Sequence, residues 1–320
     1  MRRFNAGIVY LVSYLAACSG DGGPAVQGAD DEGPLRFFGA GEGPASDAVF
    51  SLSAGEARSD HEDPLHGLSV FELRFDARVG GAKVDCGETF EGLGRASTRM
   101  EFREFRFYVH DVMLITPDGF GEQAVLASDG PFHNGEVALL DFEDGTGACQ
   151  GDAALNSVVR AGAVAGSYVG VAFRIGVPEA LNHLDLDKAV APLDVSALYW
   201  SWTDGYKHLR IDALTDAGRP FDFHLGSTLC ERSSAGGPPA CRRKNRPLIA
   251  LIAFDPGRQR VVLDYAQLVA TMDLEADIGG CIAGGTPENC APMMQRLGID
   301  HGSGTADPHG QEVFRPGEPP

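Results

Sequence analysis

The sequence predicts an all-β protein: an antiparallel β-sandwich or open barrel with a few short helices, braced by disulfides. Three observations predict this fold class. Apolar and polar residues alternate in several segments, turns rich in glycine and aspartate separate those segments, and an even number of cysteines follows an N-terminal export signal. Alternation is typical of half-buried strands, and paired cysteines are typical of exported proteins.

The alternation identifies individual strands. Apolar residues occupy every second position in the segments 71–79, 105–110 and 169–175, which is the pattern of a strand with one buried face. Residues 248–254 are apolar throughout, and this run predicts a central strand.

Helix is sparse in this sequence. Asp264 can cap a short helix that runs through Leu268, because an aspartate side chain accepts from the first free backbone amides. The run Thr286-Pro287-Glu288 is typical of a helix start, and Gly298 is expected to end that helix.

The N-terminus predicts export. Its apolar stretch, residues 6–17, is too short to span a bilayer permanently and ends in Leu15-Ala16-Ala17-Cys18. This ending resembles a bacterial lipobox, so residues 1–17 are expected to be a lipoprotein signal peptide and Cys18 to carry the lipid. An ordinary cleaved signal with an incidental cysteine is the alternative. Since Ser19 replaces an inner-membrane retention aspartate, we expect a periplasmic protein anchored by lipid alone to the outer membrane.

Composition divides the rest of the chain. Residues 18–65 are rich in Gly, Asp, Pro and Ser and predict a flexible tether, and residues 301–320 predict a loose C-terminal tail. Between them, residues 66–300 predict a single β-rich domain. The net charge of −19 argues against nucleic acid as a partner, because binding phosphates needs a cationic face.

Six cysteines follow Cys18, and six cysteines allow 15 pairings. Pairing Cys230 with Cys241, and Cys281 with Cys290, would close short loops and leave Cys86 for Cys149. The sequence alone leaves the other pairings open. It contains no C-x-x-C motif, which argues against a thiolate zinc site or a thioredoxin-type redox pair.

The candidate functional residues are two tryptophans and two histidines. Trp200 and Trp202 are the only tryptophans of the chain, and their spacing alone favours packing in the core of a sandwich. His183 lies in a predicted loop before alternating acidic residues. His224 shares a strand face with Asp222, opposite the apolar residues, so it faces solvent or a site. A neutral imidazole is a good copper ligand, although a surface histidine bonded to a neighbour is the simpler interpretation of either one.

An enzyme is the weaker hypothesis. The closely spaced carboxylates of residues 141–147 suggest a calcium loop but lack the spacing of an EF-hand, so an ordinary acidic turn is favoured. The sequence contains no G-x-S-x-G elbow, Walker loop or H-E-x-x-H motif. We therefore expect a binding protein and not an enzyme.

Several linked strings in residues 71–298 resemble the MbnP family, also described as the four-cysteine motif proteins of the metallo-mystery pair. No single string decides the resemblance, but their joint order is specific. The strings are Phe71-Glu-Leu-Arg-Phe-Asp-Ala-Arg-Val-Gly-Gly81 with Cys86-Gly87, Arg106-Phe-Tyr-Val109, residues 138–149, Gly176-Val-Pro178 with Asn182-His183, Trp200-Ser-Trp202 with Gly205-Tyr-Lys207, and His224-Leu-Gly-Ser-Thr228 with Cys230.

The resemblance implies a specific chemistry. Such proteins bind one Cu(I), and a partner dihaem protein of the MauG/cytochrome c peroxidase type oxidises the first tryptophan of the W-x-W motif to kynurenine. Carried over, that tryptophan is Trp200, and Trp202 supports the site or the electron path. Similarity to copper proteins with kynurenine and two histidines assigns His183 and His224 as ligands, with His208 in reserve. The alternative is a metal-free, lipid-anchored structural or interaction β-sandwich.

Overall fold

The segments of alternating sequence form the strands of a two-sheet sandwich. The computed structural model describes residues 35–39, 42–45, 48–53, 64–232, 236–276 and 279–318. The expected signal peptide and its Cys18 lie outside these described residues. No helix among the described residues is long and apolar enough to cross a membrane.

The strands and helices follow the chain in one order. They are β1 (Phe50–Leu52), β2 (Ser69–Val79), β3 (Ala82–Lys83), β4 (Thr89–Leu93), β5 (Thr98–Ile115), β6 (Gly121–Gln123), β7 (Val125–Leu126), β8 (Ala138–Asp141), β9 (Val158–Ala163), β10 (Gly166–Tyr168), β11 (Gly170–Ile175), β12 (Tyr199–Ser201), β13 (Gly205–Thr215), β14 (Pro220–Gly226), β15 (Thr228–Glu231), β16 (Ala240–Arg243), β17 (Leu248–Ile252), β18 (Val261–Asp264), α1 (Tyr265–Leu268), β19 (Gly280–Ile282), α2 (Pro287–Arg296), β20 (Leu297–Ile299), β21 (Ala306–Gln311) and β22 (Phe314–Pro316).

Two sheets enclose the main core. The larger has ten strands and is built around the path β17-β11-β5-β13-β14-β19, and the smaller has six, along β22-β18-β2-β9-β7. Phe75 of the smaller sheet contacts Phe107 and Phe173 of the larger one, with ring centroids 6.0 and 5.4 Å apart. These edge-to-face contacts are a preferred arrangement of buried aromatic rings. The predicted all-β, sandwich-like class is confirmed.

The long strand β5 carries two partners in succession. β13 pairs with residues 100–107 of β5, and β11 pairs with residues 109–115. The start of β13 and the end of β11 therefore meet beside Tyr108. At this seam, a Cβ added to Gly176 would collide with the ring of His208, so the close approach requires glycine.

The predicted central strand differs from the observed one. Among the described residues β17 pairs only with β11 and forms an edge of the larger sheet. Its apolar run is still explained, because both of its faces are covered. Ile249 and Leu251 belong to the main core, and Leu248 packs in a second cluster with Phe37 and Met113.

Both expected flexible ends are partly ordered, which corrects those predictions. Within the expected tether, 18–65, Phe37 and Phe50 are buried and β1 pairs with β10. Within the expected loose tail, 301–320, strand β22 pairs with β18 and Phe314 is buried. Each segment carries a large aromatic residue that the core covers, and burying such a side chain favours order by about 1.5–3 kcal/mol.

Three disulfides join the cysteines as the short loops suggested: Cys86 with Cys149, Cys230 with Cys241, and Cys281 with Cys290. The two predicted helices are also present. Asp264 caps α1 by accepting from the amide of Ala266, and α2 begins at Pro287 after Thr286.

Candidate metal centre

The candidate site lies on the outer face of the β13–β14 hairpin. Side chains alternate between the two faces of a strand. Ile211 of β13 and Phe223 of β14 pack in the main core, so Asp212 and His224 lie on the opposite face. The hairpin register places Arg210 opposite His224, and Asp212 opposite Asp222.

His224 is held by a carboxylate from the neighbouring strand. Its Nε2 lies 2.5 Å from Oδ1 of Asp212. The other oxygen of Asp212 accepts from Nε and Nη2 of Arg210, at 3.0 and 2.5 Å. Burial raises the pKa of Asp212, but the hydrogen bonds from His224 and Arg210 outweigh burial and hold the pKa below its usual value. Asp212 is therefore an ionised acceptor, and Nε2 of His224 donates.

Trp200 lies against the end of the same strand. Its six-membered ring would collide with a Cβ added at Gly226, and Gly226 follows His224 by two residues on the same strand face. The ammonium of Lys207 lies 5.8 Å from the centroid of the Trp200 ring and donates to the carbonyl of Ala197. Burial, followed by the nearby charge of Arg210, lowers the pKa of Lys207 to about 8. Trp200 is half-buried beside a partly desolvated cation.

Trp202 has a different environment. It lies in the turn between β12 and β13 and is 38% exposed. Its ring faces the guanidinium of Arg232, 5.7 Å from the ring centroid. Neither Trp202 nor Trp200 belongs to a hydrophobic cluster of the described residues. The packing of both tryptophans in the core, which spacing alone favoured, is therefore wrong.

His183 lies in a turn and is nearly buried, with 6% of its surface exposed. Its Nδ1 lies 3.0 Å from the carbonyl oxygen of Trp202, which can only accept, so Nδ1 carries the proton. The side-chain nitrogen of Asn182 lies 3.2 Å from Nε2 and donates to it. The Sγ atom of Cys241 lies 3.5 Å from the same Nε2. The lone pair of His183 thus points at an amide and a disulfide.

His208, the reserve candidate, is fully buried at the seam between β11 and β13. Its Nδ1 lies 3.2 Å from the carbonyl of Asn245 and donates to it. Its Nε2 is buried and has no hydrogen-bond partner among the described residues. Burial, reinforced by the charge of Arg246, holds the pKa of His208 well below its usual value. The ring is therefore neutral, with one unused lone pair.

The candidate ligands fall into separate groups. His224 lies within 4.8 Å of carboxylate oxygens of Asp212 and Asp222, and His183 lies within 4.8 Å of the sulfurs of Cys230 and Cys241. Those sulfurs form a disulfide and offer no thiolate. In the described part of the chain no hydrogen bond or ion pair joins the three histidines to one another. The contacts thus link Trp200 with the face of His224, and Trp202 with His183.

Asp212 and Arg210 were not predicted as site residues from the sequence. A signal for both was available in the hairpin turn. Asp212 and Asp222 each lie five residues from Ala217, and Arg210 and His224 each lie seven residues from it. Centring the hairpin on Ala217 would have set Arg210 and Asp212 beside His224.

The acidic turn of residues 141–147 has a structural explanation. Asp141 and Glu143 are buried, and each has a carboxylate oxygen 3.7 Å from Nη1 of Arg106. Arg106 also makes a two-bond pair with Glu104. Burial raises the pKa of Asp141 to about 7, despite the opposing charge of Arg106. The carboxylates surround an arginine, which agrees with the acidic turn that the sequence favoured.

The family model of MbnP matches residues 69–285 of this chain. This chain belongs to the MbnP family. Among solved structures, MbnP from Methylosinus trichosporium is similar, with 27% sequence identity and a TM-score of 0.67. The match covers 78% of this chain and 98% of that chain. The comparison with curated proteins found no match. The MbnP match contains the tryptophan pair, both histidines and the β13–β14 hairpin.

Proposed function

We propose that this MbnP-family protein binds a single Cu(I) ion in the periplasm and serves copper homeostasis without being an enzyme. The site would consist of Trp200, after its oxidation to kynurenine, with His183 and His224. Trp202 would support the site or the electron path. The oxidant would be a dihaem protein of the MauG/cytochrome c peroxidase type, and lipid on Cys18 would anchor the protein to the outer membrane.

One observation carries the proposal: the Trp200 ring packs over Gly226, two residues along the strand from His224. Trp200 and the nearly buried His224 therefore lie close together on a sheet face outside the core, where both could contribute to one metal site.

The chemistry of the donors fits Cu(I). An indole nitrogen only donates a hydrogen bond, because its lone pair belongs to the aromatic system. Oxidative cleavage of the five-membered ring of Trp200 would add two oxygen atoms and give N-formylkynurenine, and hydrolysis would then release formate and leave an aromatic amine with a usable lone pair. The histidines supply imidazole nitrogens: Nδ1 of His183 donates to a carbonyl and leaves Nε2 as the possible ligand atom, and Nε2 of the reserve His208 has no hydrogen-bond partner among the described residues. Nitrogen donors suit copper, whereas the neighbouring carboxylates prefer harder ions.

The position of the tryptophans suits oxidation by a separate protein. Trp202 is 38% exposed, and Trp200 lies two residues before it in the same hairpin. An electron could therefore leave Trp200 toward a partner at the surface without crossing the apolar core. The buried Lys207 beside Trp200 would resist a positive charge on the ring, so the partner would have to be a strong oxidant.

The first test is to produce the protein with and without its candidate dihaem partner and to measure peptide masses across Trp200 and copper on the same samples. We expect kynurenine at Trp200 and one copper per chain only with the partner. Trp200→Phe should then abolish copper binding, whereas Trp202→Phe should only weaken copper binding or lower the yield of kynurenine, because Trp202 would support the site or the electron path. Unmodified Trp200 without copper, in the presence of active partner, would favour the metal-free interaction sandwich.

The second test addresses the histidines. We expect His224→Ala to remove stoichiometric copper from a protein whose circular dichroism is unchanged. His183→Ala and His208→Ala, measured in parallel, decide which of the two completes the site. Tight copper binding by a folded His224→Ala protein would exclude His224 as a ligand.

A further inference from the structure

We infer that Asp212 is the positioning residue of His224, and that it leaves Nδ1 as the nitrogen with which His224 binds the metal. This inference rests on the proposed copper site and deepens it. It names the ligand atom and a residue that acts on the metal through the imidazole. Neither follows from the resemblance or from the sequence pattern.

The hydrogen bond between the two residues fixes the proton. Oδ1 of Asp212 lies 2.5 Å from Nε2 of His224. Oδ2 of the same carboxylate accepts two N–H bonds from Arg210, and these charged bonds keep Asp212 ionised, so that Oδ1 carries no proton and can only accept. The bond is therefore donated by Nε2–H, which leaves Nδ1 as the ring nitrogen that can bind a metal. In the described residues Nδ1 of His224 makes no hydrogen bond, and it is not a fully buried atom.

The carboxylate is itself held in place from both sides. Arg210, which grips Asp212, also contacts Glu104 at 3.3 Å and donates to the carbonyl of Ala197 at 3.0 Å. Ala197 lies three residues before Trp200. The segment that carries the tryptophan and the strand that carries the histidine are thus joined through one arginine. A ligand whose imidazole is oriented by a fixed carboxylate binds metal better than a free one.

Asp222 provides the contrast. It lies opposite Asp212 and on the same strand as His224, and its oxygens are within 4.8 Å of the other two groups. Among the described residues no hydrogen bond joins Asp222 to His224. A purely electrostatic role of nearby carboxylates would make both aspartates matter. The positioning role requires Asp212 alone.

The first arm of the test reads the proton without copper. Long-range ¹H–¹⁵N spectra of metal-free protein with ¹⁵N-labelled histidine report which ring nitrogen carries hydrogen. We expect the neutral His224 ring to carry it on Nε2 and the His183 ring to carry it on Nδ1, an internal contrast within one spectrum. His224 found with hydrogen on Nδ1 alone would overturn the assignment.

The second arm measures Cu(I) affinity, by competition with a chromophoric chelator, on protein matured with its partner. Asp212→Leu removes the acceptor, and we expect binding about 10- to 100-fold weaker. Asp212→Asn keeps an oxygen acceptor and should restore part of that loss. The matched control Asp222→Asn should bind like the wild type. Thermal unfolding of each variant shows whether it is folded, and Asp212→Asn remains informative if Asp212→Leu does not fold.

The outcomes separate the two proposals. If the wild type binds copper and both Asp212 variants bind it with the same affinity as the wild type, the positioning role is overturned and the proposed function stays intact. Equal losses in Asp212→Asn and Asp222→Asn would replace positioning by general electrostatics and overturn it as well. Matured wild-type protein that takes no copper would overturn the proposed function itself, and the wild-type arm alone reveals that result.

Discussion

The two faces of the β13–β14 hairpin have opposite chemical characters. The inner face consists of apolar residues such as Ile211 and Phe223, which are buried between the sheets. The outer face carries Arg210, Asp212 and His224, which are joined by charged hydrogen bonds. One pair of strands therefore provides hydrophobic stability on one side and chemistry on the other. Because side chains alternate, a one-residue change of register would exchange the two.

The outer face extends onto β5 as a buried ion cluster. Arg106 and Arg210 share Glu104, while Asp141 and Glu143 lie beside Arg106. Four carboxylates, counting Asp212, thus depend on two arginines. Such a network stabilises a fold poorly compared with apolar packing, but breaking one member leaves buried charges without partners. Substitutions on the inner face are therefore limited by the volume of the side chain, and substitutions on the outer face are limited by the balance of buried charges.

The largest effect is expected from the inner face. Phe75→Ala removes a ring that contacts Phe107 and Phe173, and we expect a loss of about 3–5 kcal/mol in the free energy of unfolding. Urea denaturation followed by far-ultraviolet circular dichroism measures it. Phe75→Leu, which keeps most of the apolar volume, should lose less. Equal stability of Phe75→Ala and the wild type would remove the inner face as the source of stability.

A smaller loss that depends on pH is expected from the outer face. Arg106→Met removes the cation beside Asp141 and Glu143 and one of the two arginines that contact Glu104. Breaking a buried ion pair lowers the free energy of unfolding by about 3–5 kcal/mol. At pH 8 we expect a loss at the lower end of this range, because Arg210 still contacts Glu104. Burial already raises the pKa of Asp141 to about 7. The folded state therefore binds more protons than the unfolded one between pH 4 and 7, and stability falls as pH rises through that window.

Denaturation of Arg106→Met and of the wild type at pH 5 and pH 8 measures this effect. The loss should be smaller at pH 5, because burial raises the pKa values of Asp141 and Glu143 and more of these two carboxylates are then protonated. The control is Arg74→Met, because Arg74 pairs with Glu72 at the surface and such pairs contribute about 0–1 kcal/mol. A loss in Arg106→Met that is independent of pH would show that packing and not charge governs the outer face.

The smallest effect is expected at the rim of the outer face. Trp202→Phe changes an exposed ring that lies outside the hydrophobic clusters of the described residues. Such substitutions usually change the free energy of unfolding by no more than about 0.5 kcal/mol. The same denaturation experiment measures it. A loss of several kcal/mol would mean that Trp202 is a structural residue and would break the distinction between the two faces.

The sequence predicted much of the fold because the signal is local. Alternation in residues 71–79 and 169–175 gave β2 and β11, and Asp264 marked the start of α1. The run 248–254 misled because it reports burial of both faces and not the number of hydrogen-bonded neighbours. The order of the C-terminal segment was missed because its anchor, Val313 with Phe314, is only two apolar residues in a polar segment.

The site was harder to predict because its contacts cross between strands. Trp200, His183 and His224 could be named from motifs, but the partners of each side chain could not. Asp212 is twelve residues from His224, and only the register of the hairpin joins them. His183 meets the Cys230–Cys241 disulfide through a loop, and no periodic pattern encodes a loop's path.

Both tryptophans of the chain lie on the hairpin between β12 and β13, outside the space between the two sheets. Indole fluorescence of this protein therefore reports the surroundings of this hairpin and not the packing of the main core. The wavelength and intensity of the emission should depend on Lys207 and Arg232, the two cations that face the indole rings. Chemical conversion of Trp200 would leave a single indole emitter, Trp202, at the surface. Maturation would then appear as a change in indole emission, to which the main core, which holds no tryptophan, contributes nothing.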